Sequence, residues 1–168
     1  MPQRYLVVGC PGSGKSTMAR AMAQRTGLPA VHLDKLFWRD HWTSVPAEEF
    51  DALLRCELAK DCWIIDGNFS RTLPMRLARA EAVVWLDYPL HVSLFGALRR
   101  VLTNYGKVRP DMSPNCPERL NWPFIRSILD FRRRNGAKME QLLVPAPGRE
   151  IIRLRSRRQA RAFLDSLR

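Results

Sequence analysis

Apolar residues fall in short runs, and the segments between those runs carry helical spacing. Residues 4–9 (RYLVVG) form the first run and end on glycine. A run of that length with a glycine boundary reads as a strand buried on both faces. Further runs of strand length cover 30–33, 62–65 (CWII), 82–86 (AVVWL) and 149–154. Helices are expected at about 15–26, where Gly27-Leu28-Pro29 stops the pattern, and at 90–104, 118–134, 137–143 and 157–167. Another opens at Val45-Pro46-Ala47-Glu48-Glu49, with proline near the first turn and acids at the positive end. Pro123 is expected to kink the 118–134 helix or to start a second one. Gly106, Pro110, Pro114 and Pro117 make 105–117 a loop. Five apolar strands alternating with helices predict an α/β three-layer sandwich. Its centre is a five-stranded parallel sheet with right-handed crossovers. Ligands of such sheets bind beyond the carboxyl ends of the strands.

The 168 residues suit one domain spanning 1–168. With 46% hydrophobic residues the chain can bury a core, which excludes general disorder. No run approaches the ~18 apolar residues that span a bilayer. The first run is too short for a signal-peptide core, so a cytoplasmic location and no membrane partner are expected. Cys10, Cys56, Cys62 and Cys116 form no C-x-x-C pair and sit at no zinc spacing from a histidine. Reduced, packed thiols are the expectation. The net charge of +12 is concentrated: residues 99–134 hold nine basic residues against three acids, and 149–168 hold seven against two. Of the 28 basic residues 23 are arginine, whose planar fork matches phosphate oxygens. The excess is therefore aimed at a nucleotide, a nucleic acid or solvent counter-ions, and charge does not choose among them.

The stretch Gly9-Cys10-Pro11-Gly12-Ser13-Gly14-Lys15-Ser16-Thr17 narrows the choice. It matches G-x-x-x-x-G-K-[ST] between a strand and a helix. Glycines let successive N–H groups turn inward on phosphate oxygens, and the helix start adds a positive dipole end. Lys15 reaches β- and γ-phosphates, and the Ser16 hydroxyl is placed to ligate Mg²⁺. ATP and Mg²⁺ are the expected cofactors.

Asp34, Asp66 and Asp87 follow the second, third and fourth strands and should stand where the cradle opens. A phosphate–Mg²⁺ site needs a carboxylate for the metal or its waters, and Asp66, ending an apolar strand before Gly67, fits best. Asp34 suits an acceptor hydroxyl, orienting it or taking its proton. Asp87 reads more readily as a cap or loop residue. Trp38 and Trp42 lie four apart and would share a helix face. With Phe69 they either wall an acceptor pocket or belong to the core. His32, His41 and His91 are scattered and receive no role. Residues 99–134 suit a helical, Arg-rich lid that closes over the γ-phosphate. Arg99, Arg100, Arg109, Arg119, Arg126 and Arg132 to Arg134 are its candidates.

These residues carry a resemblance. The cradle, Leu33-Asp34, Asp66-Gly67, Leu86-Asp87-Tyr88-Pro89 and the late arginines resemble the adenylate-kinase-like branch of the P-loop kinases. DGNFSRT (66–72) looks like the family's D-G-F-P-R-T, with Asn68 and Ser70 in place of Phe and Pro. Nearly end to end the chain resembles the FlaR-type DNA topology modulation proteins. The strings that carry this are VHLDKLFW, WIIDGNF, RPDMSPNCPERLNW and LRSRRQARAFL. The kinase resemblance implies that Gly9 to Thr17 bind ATP phosphates and that Asp66 acts through Mg²⁺. It implies that Arg71 meets an anionic group of the acceptor and that Arg100 reaches the transferring phosphoryl group. Ser156, Arg157 and Arg158 would lie near the adenine. The altered DGNFSRT segment carries over no nucleoside monophosphate, so the acceptor is left as an unidentified small molecule. The expected function is ATP-dependent phosphoryl transfer. The alternative is an ATP-regulated DNA-binding protein, although no helix-turn-helix or zinc-finger pattern is present.

Overall fold

The computed structural model of the chain describes residues 1–167. Strand β1 (Arg4–Gly9) leads into helix α1 (Lys15–Thr26), strand β2 (Ala30–His32) and the short α2 (Leu33–Phe37). A hairpin of β3 (Trp38–Arg39) and β4 (Thr43–Ser44) flanks a 3-10 turn at Asp40–Trp42. Then follow α3 (Ala47–Leu58), β5 (Trp63–Asp66), α4 (Leu73–Leu77), β6 (Ala82–Leu86) and α5 (Leu90–Asn104). Helix α6 (Trp122–Leu142), β7 (Glu150–Leu154) and α7 (Arg157–Ser166) close the order.

The apolar runs form one parallel sheet of five strands in the order β2-β5-β1-β6-β7. Successive side chains of a strand point to opposite faces, so each run feeds two cores. Leu6, Val8, Trp63, Ile65, Val83 and Trp85 pack on one face against Phe50, Leu54 and Leu58 of α3 and Met139 of α6. Tyr5, Val7, Ile64, Ala82 and Val84 pack on the other against Met18, Ala19 and Met22 of α1 and Ala160 of α7. The result is a three-layer α/β sandwich. Both faces of the central strands are apolar, which is why their residues run on without polar alternation. Each fully buried large side chain contributes about 1.5–3 kcal/mol, enough to hold the register against a slip.

Two local expectations fail. Residues 118–142 do not make two helices beginning at 118. They make one helix of 21 residues that begins at Trp122, with Pro123 in its first turn. Proline fits there because its missing N–H has no intrahelical acceptor anyway. The start is delayed because isolated bridges tie Pro117 to Val108 and Glu118 to Tyr105. Asn135-Gly136 does not end the helix, since Ile125, Ile128 and Met139 keep one buried stripe through it. Trp38 and Trp42 share no helix face, because α2 stops at Phe37 and the chain turns into the hairpin. His41 and Trp42 take left-handed backbone there, with φ of 56° and 61°. No helix among the described residues is long and apolar enough to cross a membrane.

Candidate functional site

The loop after β1 rises at the carboxyl edge of the sheet and turns directly into α1. Gly12 and Gly14 have φ of 82° and 93°, a region that side chains other than glycine's avoid. Gly12 is also fixed by close packing. A Cβ there would lie 2.2 Å from the Ser93 carbonyl oxygen, and one on Gly96 would lie 2.3 Å from the Gly12 carbonyl oxygen. Loop and α5 therefore touch backbone to backbone. Around Gly14 there is open space. Lys15 folds over the loop and donates from Nζ to the Cys10 carbonyl at 3.1 Å. Burial pushes its ammonium below the ordinary lysine range, with Asp66 and Asp34 pulling it back in part.

A cleft of about 500 Å³ opens beside this loop. Its walls include Pro11, Gly12, Gly14, Lys15, Ser16 and Thr17 from the loop, with Asp34, Asp66, Phe69, Arg100 and Arg157 opposite and around. Gly9 and Ser13 lie behind the wall, Ser13 buried with an unpartnered hydroxyl. Asp66 is 3% exposed and sits level with His32 across the β2–β5 pair. Its Oδ1 lies 2.5 Å from His32 Nδ1. Asp34 stands in the first turn of α2. Burial raises its carboxyl above the usual range, Lys15 opposes this, and Asp66 adds to it.

The wall over the cleft's other side is held by ion pairs to two buried carboxylates. Asp111 accepts from Arg109 at 2.7 Å and from Arg20 of α1 at 3.0 Å. Glu118 accepts from Arg100 at 3.1 Å and forms an ion pair with Arg109, whose Nε lies 2.8 Å from Oε2. Arg100 also lies over the Phe124 ring at 4.8 Å. Burial and the neighbouring Arg109 lower its guanidinium, and Glu118 opposes them. Arg20, Arg100 and Arg109 are thus linked through two carboxylates that are each 4% exposed. The same loop seals onto the hairpin. Asn115 Nδ2 donates to Asp40 at 2.9 Å, and Ser113 Oγ donates to the Lys35 carbonyl at 3.1 Å.

The floor between Asp66 and α4 is held by Arg76, whose side chain is fully buried with no carboxylate partner. It donates to the carbonyls of Gly67 at 2.8 Å and Phe69 at 3.0 Å, and to that of Asn68. Burial lowers it to about 10. Phe69, with φ of 30°, is strained and faces the cleft. Asn68 Oδ1 accepts from the Gly9 N–H at 3.2 Å, tying this floor to the loop.

Three residues assigned to the site from sequence stand elsewhere. Trp38 packs edge-on against Phe37 at 4.9 Å and Trp42 at 5.6 Å, and borders a shallow depression with Lys35 and Pro114. Arg71 is turned to α3, where Asp51 accepts two bonds of 2.7 Å each, and it does not border the cleft. Arg158 is exposed on α7 and also outside the cleft, while its neighbour Arg157 borders it. Asp87 faces away, accepting 2.9 and 2.7 Å bonds from Arg153. His32, Arg20, Asn68, Arg76, Asp111 and Glu118 received no role from sequence. The acids inside RPDMSPNCPERL were the available signal for the last two, since acids amid arginines invite internal pairing.

Among the described residues no three His, Cys, Asp or Glu side chains cluster to hold a metal by themselves. Mg²⁺ needs no such cage. It is held by one or two hard oxygen donors together with phosphates and waters, and Ser16, Asp34 and Asp66 are donors of that kind bordering one cleft.

A glycine cradle between β1 and α1, at the carboxyl edge of a sheet of this order, gives the chain a P-loop within a three-layer α/β fold. Comparison with known proteins agrees at that level. Residues 5–66 match the model of the ATPase family associated with various cellular activities (AAA). Shikimate kinase from Acinetobacter baumannii, in complex with shikimate, superposes with a TM-score of 0.62 at 16% identity. That match covers 98% of this chain and 89% of that one. Shikimate kinase from Bacteroides thetaiotaomicron gives 0.54 at 16% identity, covering 99% and 96%. The enzyme from Aquifex aeolicus gives 0.53 at 15%, covering 96% and 92%. At such identities the likeness is one of fold. No curated protein sequence matches the chain.

Proposed function

We propose that the protein is an ATP-dependent phosphotransferase that moves the γ-phosphoryl group to a hydroxyl of a small molecule. The observation that carries this reading is the single cleft shared by the cradle, Lys15, Asp34, Asp66 and Arg100. The loop's amides, Ser16 and Thr17 would hold the phosphates. Lys15 would neutralise the β- and γ-oxygens. Ser16 and Asp66 would hold Mg²⁺, which when bound offsets charge on the phosphates. Asp34, with its carboxyl raised into a more proton-accepting range, would orient the acceptor hydroxyl and take its proton as the O–P bond forms. Residues 99–134 would serve as the lid, with Arg100 against the transferring group and water kept out. Arg157 would border the nucleoside. Three shikimate kinases of similar fold support transfer to a small molecule. They do not carry the acceptor's identity across.

Calorimetry with ATP and Mg²⁺, followed by γ-phosphoryl transfer across a panel of hydroxyl compounds, tests the proposal. Saturable binding and acceleration by at least one compound are expected. A flat titration of folded protein overturns the nucleotide site. Tight binding with no transfer to any of a broad panel overturns the kinase reading.

A second reading draws on the resemblance to DNA topology modulation proteins and on one surface feature. The outer face of α6 exposes Trp122 (77%) together with Arg126 and Arg133. Aromatic and arginine side chains together suit nucleic acid. About five phosphate contacts would give a log–log salt slope near −4 to −5. Fluorescence anisotropy on labelled DNA that shows no binding at low salt, or binding flat with salt, removes this reading.

A further inference from the structure

We propose that His32 is a positioning residue for Asp66, holding that carboxylate so that one defined oxygen faces the nucleotide's divalent cation. The inference rests on the reading of Asp66 given above and assigns a role to a side chain that does not itself border the cleft. His32 ends the edge strand β2, level with Asp66 at the end of β5. The sheet therefore sets the two Cα positions before any side chain is chosen. His32 Nδ1 lies 2.5 Å from Asp66 Oδ1, with the side chains 12% and 4% exposed. An ionised carboxylate only accepts, so the proton of this bond sits on Nδ1.

The bond has a geometric consequence. A terminal carboxylate torsion is broad and roughly two-fold, so a free Asp66 would offer either oxygen at a range of angles. Among the described residues His32 is the one donor to that carboxylate, and Oδ1 is the atom it takes. Oδ2 has no such partner, and Asp66 borders the cleft beside Lys15. Partners of this kind, one step removed from a metal, typically change metal affinity about 10–100-fold when lost. A histidine that merely satisfied a buried oxygen would affect stability and nothing else.

The test separates these roles by binding, without turnover. The readout is the ratio of dissociation constants for a non-hydrolysable ATP analogue measured without and with Mg²⁺, by calorimetry on the full chain. His32→Asn keeps an N–H donor at the distance of Nδ1 from Cβ. His32→Gln moves it one bond outward, and His32→Leu removes it. The Mg²⁺-free affinity is expected to stay unchanged in all three. The ratio is expected to fall about 10–100-fold in His32→Leu and His32→Gln and to recover in His32→Asn.

Equal ratios in wild type and His32→Leu, with only the melting temperature lowered, would overturn the proposal. If His32→Leu does not fold, the Asn and Gln variants decide, and equal ratios for that pair overturn it as well. Asp66→Asn separates the two levels of the argument. If it keeps the full ratio, the reading of Asp66 fails and the role of His32 falls with it. If it loses the ratio while His32→Leu keeps it, the positioning role alone fails.

Discussion

The two sides of the cleft are built by different means. On the loop side the backbone forms the surface: Gly12 and Gly14 take left-handed conformations, and Gly12 packs closely on α5. On the side formed by residues 100–118, long side chains form it. Arg20, Arg100 and Arg109 are locked through Asp111 and Glu118 into one network. A backbone cradle binds the oxygens common to every triphosphate and does so without rearrangement. A side-chain network has discrete alternatives, because each arginine can exchange an internal carboxylate for an external oxyanion. The first is suited to holding a nucleotide, the second to responding to what arrives.

Removing the one side chain on which the cradle depends should break the contrast most. Lys15→Ala is expected to lower phosphoryl transfer about a thousandfold, the scale for losing one preorganised electrostatic group. Single-turnover assays with γ-labelled ATP check this, and a loss under tenfold would remove Lys15 from the reacting centre. Next in size comes the backbone. Gly12→Ala should cost about 3 kcal/mol or more, since left-handed strain and overpacking are each worth about 1–3 kcal/mol. Gly14→Ala meets no neighbouring atom and should cost only about 1–2 kcal/mol, the left-handed penalty alone. Urea titration of the pair measures it. Equal losses would show that contact with α5 is not what shapes the loop.

The same contrast explains what could be read from sequence. The strands, the sheet's parallel character and the loop were legible because each depends on local pattern: apolar runs of strand length, and glycines at fixed spacing before Lys15. Asp34 and Asp66 were legible because a strand's end is a predictable place. The pairing of His32 with Asp66 was not, because it requires knowing that β2 lies beside β5 rather than beside β1. Arg71 stands away from the cleft for a related reason. The family pattern points it at an acceptor, but here Asp51, twenty positions away on α3, accepts from both of its terminal nitrogens. The spacing of Trp38 and Trp42 suits a helix, and the turn at Asp40–Trp42, with its two left-handed residues, carries no Gly or Pro to announce it.

A milder change sharpens the side-chain half. Glu118→Gln keeps the shape and one accepting oxygen, puts an NH2 donor in place of the other, and removes the charge that joins Arg100 to Arg109. Transfer is expected to fall about tenfold or more, while the dissociation constant for MgATP stays put. Equal loss in both quantities would mean that the network supports the cradle rather than the reaction.

The smallest expected effect is also the one that tells the two carboxylates apart. Asp34 and Asp111 both border the cleft, and burial pushes both upward. For Asp34 burial wins, and its folded value lies above the unfolded one near 3.9. The folded state then holds the proton longer, so stability falls as pH rises from about 4 through the folded value. For Asp111, Arg109, a backbone N–H and Arg20 outweigh burial and leave the folded value below the unfolded one. Its stabilisation is present above about pH 4 and is lost as pH falls through the folded value. Asp34→Asn should therefore raise the melting temperature at neutral pH, and the gain should vanish toward pH 4. Asp111→Asn should lower the melting temperature at neutral pH, and that deficit should close as the solution is acidified below pH 4. Calorimetric scans from pH 3 to 8 measure both. A residue kept at a cost to stability is one kept for chemistry. If both variants shift melting in the same direction, Asp34 loses its claim to be the carboxylate held ready for the acceptor.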